Sequence, residues 1–378
     1  MELRKYKLSQ LLSIKNGKDY KHLDNGDVPV FGSGGFMCSV NSYLYDKVSI
    51  LLPRKGTLSN IQFYNHGRFW TVDTCFYSIV NESLCDPYYL YRYIKSLDLS
   101  GYDTGASIPS MTQKTYNGIK VSLPSLPTQH RIASILSAYD NLIENNNKRI
   151  RLLEQMAENL YKEWFVRFRF PGHEKVEMEN RLPKGWRISR IKDFGRIETG
   201  KTPSMENPEY YGGDYLFIKT PDMHDSMFVF NTTETLSDKG NQCQKKKLLP
   251  VNSIMVSCIG SGGVVSINAK QGHTNQQINS IILHNQTYLE WLYFTCRSLK
   301  TTIELFGATG ATMTNLSKGK FENLKVIEPE KNIVTQFNVF SNPIFEQIKN
   351  LSTQNDNLTR QRDQLLPRLM SGKLGVKE

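Results

Sequence analysis

The strongest constraint on this chain is that it repeats itself, and in the same order each time. Gly105-Ala106-Ser107, leading to Met111, answers Gly310-Ala311-Thr312, leading to Leu316. Tyr116, Ile119, Lys120, Val121 and Pro124 fall in step with Phe321, Leu324, Lys325, Val326 and Pro329. Upstream, Ser49-Ile50-Leu51 with Gly56 answers Ser253-Ile254-Met255 with Gly260, and Ile14 to Gly17-Lys18 answers Ile197 to Gly200-Lys201. Four pairings in one order argue for a duplicated unit, and a fold read without the duplication would be misjudged throughout. At 378 residues the chain is long enough for two such units, each with its own core.

Each unit closes with a heptad pattern. Leu136, Ile143, Ile150, Ala157 and Trp164 recur every seven residues, and Ile132, Tyr139, Asn146, Leu153 and Leu160 form the offset row. The second unit supplies Phe337, Ile344, Leu351, Leu358 and Leu365, with a less regular flank of Ile348, Asn355, Arg362 and Leu369. One helix packed on its own domain also fits such a pattern. Two matching helices at equivalent places favour an antiparallel coiled-coil seam, with Asn146 and Asn355 fixing its register. Asn342-Pro343 reads as an N-cap and first-turn proline where the second helix restarts, and Pro367 is expected to kink or end it. About 39 helical residues from Thr128 to Val166 would span close to 60 Å.

The expected fold is α/β (α+β): two similar mixed α/β domains separated by two long helices forming an antiparallel coiled coil. Val48–Leu52 and Ser253–Ser257 read as short buried strands, followed or flanked by glycine turns at Gly32, Gly34, Gly35, Gly260, Gly262 and Gly263. The expected boundaries are 1–127 for the first domain, 128–170 for the central helix, 171–182 for a polar linker, 183–329 for the second domain and 330–378 for the last helix.

Composition then narrows function. Lys and Arg outnumber Asp and Glu by 47 to 36, a formal net charge of +11, which suits a polyanion such as nucleic acid or an anionic membrane. No run approaches the roughly 20 apolar residues of a membrane span. Residues Met1 to Tyr6 carry no apolar signal core, and six scattered cysteines form no Cys-x-x-Cys. A cytosolic protein with free thiols is expected, without a metal site.

Catalytic patterns fail on context. Gly195 with Gly200-Lys201-Thr202 matches a phosphate-binding loop, yet Pro203 and Pro208 would break the helix that loop requires. Asp86-Pro87-Tyr88-Tyr89 approaches the amine-gripping loop of amino-methyltransferases but lacks its second proline and a methyl-donor motif; it reads better as a helix start. The seven histidines lie far apart, and none has an obvious nucleophile partner.

The candidate DNA contacts form two matched sets of polar and basic loop residues. The first is Asn16, Lys18, Arg54, Lys55, Thr57 and Ser107. The second is Lys201, Thr202, Lys219, Ser261, Asn275, Gln276, Gln277 and Thr312. Lys and Arg neutralise phosphates, while Asn, Gln and Arg read base edges through paired hydrogen bonds. Lys245-Lys246-Lys247 reads as a solvated charge run. Trp164-Phe165 is open between a partner-facing surface and packing on the neighbouring domain.

Longer strings carry a family resemblance. Leu123-Pro124-Ser125-Leu126-Pro127-Thr128-Gln129-His130-Arg131-Ile132 resembles the opening of the central helix of type I restriction-modification specificity subunits. Leu160-Tyr161-Lys162-Glu163-Trp164-Phe165, followed by Arg167 to His173, resembles its end. Leu182-Pro183-Lys184-Gly185-Trp186 resembles the start of their second target-recognition domain, and Leu365 to Leu374 their C-terminus. The resemblance implies a non-catalytic, cytoplasmic prokaryotic subunit. Each domain would bind half of a bipartite, gapped target in double-stranded DNA, and the helices would set the gap and dock two adenine methyltransferase (modification) subunits. It also implies ATP-dependent restriction subunits, with S-adenosylmethionine, ATP and Mg2+ held by partners and no cofactor on this chain. A single-chain restriction-methyltransferase fragment and a coiled-coil scaffold are the rival readings.

Overall fold

The structure, a computed structural model, describes residues 2–103, 108–224, 226–307 and 314–375. It resolves into two compact units, Met1–Ile143 with Leu358–Glu378 and Glu144–Asn357. Ser107 and Thr312, and with them most of the Gly-Ala-Ser/Thr repeat, lie outside the described residues.

Unit 1 runs β1 (Arg4–Lys7), α1 (Leu8–Leu11), β2 (Leu12–Asn16), β3 (Asn25–Gly32), β4 (Gly35–Val40), β5 (Ser49–Pro53), β6 (Gln62–Tyr64), β7 (Trp70–Thr71) and β8 (Cys75–Val80). Then come α2 (Pro87–Lys95), α3 (Gln113–Gly118), β9 (Lys120–Leu123) and the long helix α4 (Leu126–Tyr161), which continues in a π-helical turn through Lys162–Val166. Strand order is β2-β8-β5-β6 in one sheet and β4-β3-β7 in another, with β1 paired to β9. β5 lies inside its sheet and every residue of it is buried, which is why it reads as an unbroken apolar run.

Unit 2 contains a short hairpin of β10 (Met178–Glu179) and β11 (Leu182–Pro183), then β12 (Arg187–Arg190), β13 (Gly195–Thr199), β14 (Tyr211–Ile218), β15 (Phe228–Val229) and β16 (Glu234–Leu236). α5 (Asp238–Cys243), β17 (Ile254–Ser257), β18 (Ile259–Gly260), β19 (Val265–Asn268), β20 (Gly272–Thr274) and β21 (Ile278–Leu283) follow. α6 (Leu289–Ser298), α7 (Lys300–Gly307), β22 (Thr314–Asn315), α8 (Lys318–Glu322), β23 (Lys325–Glu328) and α9 (Lys331–Met370) complete it. Strand order is β13-β21-β17-β19-β15 and β16-β14-β20, with β12 paired to β23.

The duplication is therefore architectural. β1–β9 and β12–β23 are antiparallel pairs that close each unit. β3 runs parallel to β7 as β14 does to β20. α3 and α8 start at matching caps, Thr112 accepting from the Thr115 amide and Ser317 from the Lys320 amide. Just behind those caps, Tyr116 and Phe321 are both fully buried.

The long helices pair antiparallel within each unit. In unit 1, Ile132 and Leu136 pack in the core with Leu365, Leu369 and Met370, and Arg362 meets Asp140 at 2.7 Å. In unit 2, Ile150, Leu153, Ala157, Leu160 and Trp164 share a core with Phe337, Ile344 and Ile348. Asn146 Nδ2 donates to Asn355 Oδ1 at 3.0 Å, and Asn355 Nδ2 donates to Asn147 Oδ1 at 2.8 Å. The polar members of the second row, Asn355 and Arg362, thus face partners on α4. Leu351 is buried, while Tyr139, Ile143 and Leu358 are half-buried.

Two expectations, both about prolines, need correction. α9 neither restarts at Asn342-Pro343 nor ends at Pro367; it runs unbroken to Met370. Asn342 and Pro343 are exposed, so the carbonyl that Pro343 leaves unpaired can be hydrated, and Pro367 falls in the last turn. Of the two readings left open for Trp164 and Phe165, the packed one holds. The π-turn swings both into the unit 2 core, where Phe165 stacks edge-on to Phe337 at 4.9 Å and Trp164 does so at 5.7 Å.

No described helix is long and apolar enough to cross a membrane. The six cysteines are free. Gly195–Thr199 is a strand and no helix follows Lys201 directly. Asp86 caps α2 by accepting from the Tyr89 amide at 2.8 Å, with Pro87 in the first turn. Beside that cap, Tyr91 stacks on Phe63.

Candidate nucleic-acid interface

Each unit gathers its polar loops at one end of its main sheet, and the same backbone device does it twice. β2 and β13 end in Gly17-Lys18 and Gly200-Lys201. A Cβ on Gly17 would sit 2.0 Å from the Val72 carbonyl oxygen, and one on Gly200 would sit 2.2 Å from that of Asn275. Only glycine tolerates this approach. The following amide then donates across the gap, Lys18 N to Thr71 O at 2.8 Å and Lys201 N to Thr274 O at 3.0 Å. Both lysine side chains emerge exposed.

In unit 1 the loop after β5 joins this end. The Arg54 amide donates to Thr74 O at 2.8 Å, and the Gly56 amide donates to Pro109 O at 2.8 Å. Lys55 bridges to Ser110. Arg54, Lys55 and Thr57 border it, and Asn16 Oδ1 accepts from Gln113 Nε2 at 2.9 Å. All five described candidates of the first set therefore border one surface.

Unit 2 is more internally bonded. Thr202 Oγ1 donates to Gln276 Oε1 at 2.7 Å. Asn275 is nearly buried and closes a turn: its Nδ2 donates to Gln277 Oε1 at 3.0 Å and its Oδ1 accepts from the Gln277 amide at 3.2 Å. Lys219 is half-buried and paired with Glu234 at 2.5 Å, with its ammonium over the Phe217 ring. Ser261 is exposed, but its carbonyl accepts from Ser257 Oγ at 2.5 Å. Lys201, Ser261 and Gln276 are exposed candidates of this end, while Asn275 and Gln277 shape it. Of the lysine run, Lys247 binds Glu198 and the Thr199 carbonyl, while Lys245 and Lys246 extend toward solvent.

Several residues at these ends escaped the sequence reading. Asn60 Nδ2 donates to Ser33 O at 2.7 Å and Gln62 Nε2 donates to Gly32 O at 3.0 Å, so both hold the glycine hairpin between β3 and β4. Gln113 orients Asn16. A polar amide one or two places from a glycine turn is the available signal, and it is common in any loop.

The fold and its paired ends define the class: a tandem protein with two copies of one binding architecture. The family profile described as type I restriction modification DNA specificity domain matches residues 2–155 and again 183–366. The type I restriction enzyme HindI specificity subunit of Haemophilus influenzae is 32% identical over 362 residues, covering 78% of this chain and 79% of that protein. The MjaIX specificity subunit of Methanocaldococcus jannaschii is 25% identical over 374 residues, covering 95% and 85%. Among solved structures, the type I restriction-modification system S subunit from M. genitalium superposes with a TM-score of 0.63 at 14% identity, covering 98% of this chain and 96% of that one, a likeness of fold. The chain belongs to the type I restriction-modification DNA specificity family.

Proposed function

We propose that this chain is a non-catalytic specificity subunit, in which each unit binds one half of a bipartite, gapped sequence in double-stranded DNA. The observation that carries this reading is the duplicated glycine–lysine end, built twice on equivalent strands and exposed in both units. Lys18, Arg54, Lys55 and Lys201 would hold phosphates, and amide side chains such as Gln276 would meet base edges.

α4 and α9 would set the gap and dock two adenine methyltransferase subunits, with ATP-dependent restriction subunits completing the nuclease. A helix of the 36 residues of α4 is about 54 Å long, enough to bridge more than the ~34–36 Å of one DNA turn. S-adenosylmethionine, ATP and Mg2+ would reside on those partners, in a prokaryotic cytoplasm.

The test is adenine-methylation mapping in cells expressing the chain with its methyltransferase. A bipartite methylated motif is expected. Deleting one heptad from α4 and the facing heptad from α9 should change the gap and leave both half-sites intact. An unchanged gap would remove the helices from the role of spacer.

A further inference from the structure

We propose that the β3–β4 hairpin of unit 1 ends in an apolar wedge, Phe36 with Met37, that enters between two base pairs of its half-site and unstacks that step. This rests on the reading of unit 1 as a DNA-binding domain. It adds a way of reading, through deformability of one step, that the polar contacts do not supply.

The position is the first reason. Gly32 pairs with Gly35, so the turn is Ser33-Gly34 alone. A Cβ on Gly34 would meet nothing within 4 Å, so the tip projects into open space. Gly56 lies against Ser33: a Cβ on Gly56 would sit 3.4 Å from Ser33 Oγ. The hairpin therefore stands beside Arg54, Lys55 and Thr57. Cations that hold phosphates on either side of an inserted side chain are what a wedge requires.

Exposure is the second. Phe36 is 64% exposed and Met37 49% exposed, at the rim of an otherwise basic and polar surface. Ile108, next to the Pro109 that accepts from Gly56, is 59% exposed. Large exposed apolar side chains beside phosphate-holding cations are what an inserting tip presents. Phe and Met are among the side chains that proteins insert between base steps.

Support from below is the third. Phe69 is fully buried and packs on Tyr64 at 5.2 Å, Tyr64 packs on Phe31 at 5.1 Å, and Phe31 meets Phe36 edge-on at 6.3 Å. This aromatic column roots the exposed ring in the core. Asn60 and Gln62 hold the two turn carbonyls at 2.7 and 3.0 Å. The wedge is thus held in place before DNA arrives, and little ordering cost remains at binding. Among the described residues, unit 2 has no such two-residue hairpin. Its β14 passes instead into a longer segment whose Met223, Met227, Phe228 and Val229 are buried and whose Lys219 pairs with Glu234.

The experiment uses the full chain assembled with its methyltransferase and a duplex of the mapped target. 2-Aminopurine replaces adenines of the unit 1 half-site one at a time. The methylated adenine itself stays unlabelled, because a methyltransferase flips that base. Binding should raise fluorescence at one step of the unit 1 half-site and at none in the unit 2 half-site. The double variant Phe36→Ala, Met37→Ala should abolish the rise and weaken binding about tenfold, while still folding and assembling with the methyltransferase. Phe36→Trp should retain the signal. No rise with the native chain, or a rise that survives the double variant, overturns the proposal. Loss of methyltransferase assembly with the DNA signal intact would assign the tip to a protein contact and also overturn it. Absence of any bipartite methylated motif is a different failure: it removes the DNA-reading role itself and the wedge with it.

Discussion

Units 1 and 2 share their strand pairings but not their tips. In unit 1 the step from β3 to its antiparallel neighbour takes two residues, Ser33 and Gly34; in unit 2 the step from β14 to β16 takes residues 219–233 and carries β15 on the way. The interior tells the opposite story, since Tyr116 and Phe321 occupy one fully buried place behind matching caps. Duplication preserved what packs and released what projects, as expected where scaffolds are rigid and loops carry function.

Core substitutions should break the comparison hardest. Phe321→Ala leaves a cavity in the unit 2 core and should cost about 3–5 kcal/mol, read by hydrogen exchange at the β17 amides. Unit 1 amides, for example in β5, should keep their protection. Equal loss in both units would show that the two cores do not open independently.

The second contrast is electrostatic. α2 and α6 each carry a polar or charged group toward the long helices, with opposite consequences. Tyr88 Oη donates to Asp140 at 2.5 Å, and Arg92 and Arg362 both pair with the same carboxylate. Burial alone would raise the Asp140 pKa, but Tyr88, Arg92 and Arg362 outweigh it and hold it below its ordinary 3.8. On α6, Glu290 is 2% exposed and accepts from Asn338 Nδ2 at 2.7 Å. Burial pushes its pKa from 4.5 up to about 7.

The signs follow from linkage. Between pH 4.5 and 7 an unfolded Glu290 releases its proton while the folded one keeps it. Glu290 therefore contributes stability to unit 2 at acid pH, about 3 kcal/mol of which is lost as pH rises from the unfolded value through the folded one, while His273, held by burial down at about 4 from 6.5, contributes in the opposite direction. Asp140 stabilises unit 1 above 3.8, and that stabilisation is lost as pH falls through its lowered folded value. Urea unfolding followed by hydrogen exchange should show unit 2 of Glu290→Gln gaining stability relative to the native chain from about pH 5 to 7, with unit 1 unaffected. Parallel unit 2 profiles of the variant and the native chain would contradict the assignment.

The smallest effect tests the matched pair from the other side. Tyr116 Oη donates to the Pro53 carbonyl at 2.8 Å, a bond Phe321 cannot make. Tyr116→Phe should cost unit 1 about 1 kcal/mol in the same exchange measurement. No change would show that the hydroxyl is incidental.

Much of the scaffold was legible because packing leaves a periodic trace. The seven-residue rows predicted helices that the structure pairs antiparallel, and the buried runs at Ser49 and Ser253 predicted interior strands. The prolines misled. Pro343 sits on an exposed helix face where a lost hydrogen bond is cheap, and local propensity cannot see that. Trp164 and Phe165 were ambiguous because a π-turn, which no pattern announced, decides where they point. Gly17 and Gly200 were visible as a repeat, but their close contacts with the carbonyls of Val72 and Asn275, far along the chain, were not. Phe36 and Glu290 were invisible for the same reason: exposure of one and burial of the other depend on neighbours distant in sequence.

The central claim is independent readout by two copies of one architecture, and exchange of one copy tests it most directly. Residues 1–127 would be replaced by the same segment of a relative with a different target, and methylation mapped in cells carrying the methyltransferase. One half of the methylated motif should change, with the other half and the gap untouched. A change in both halves would contradict the account.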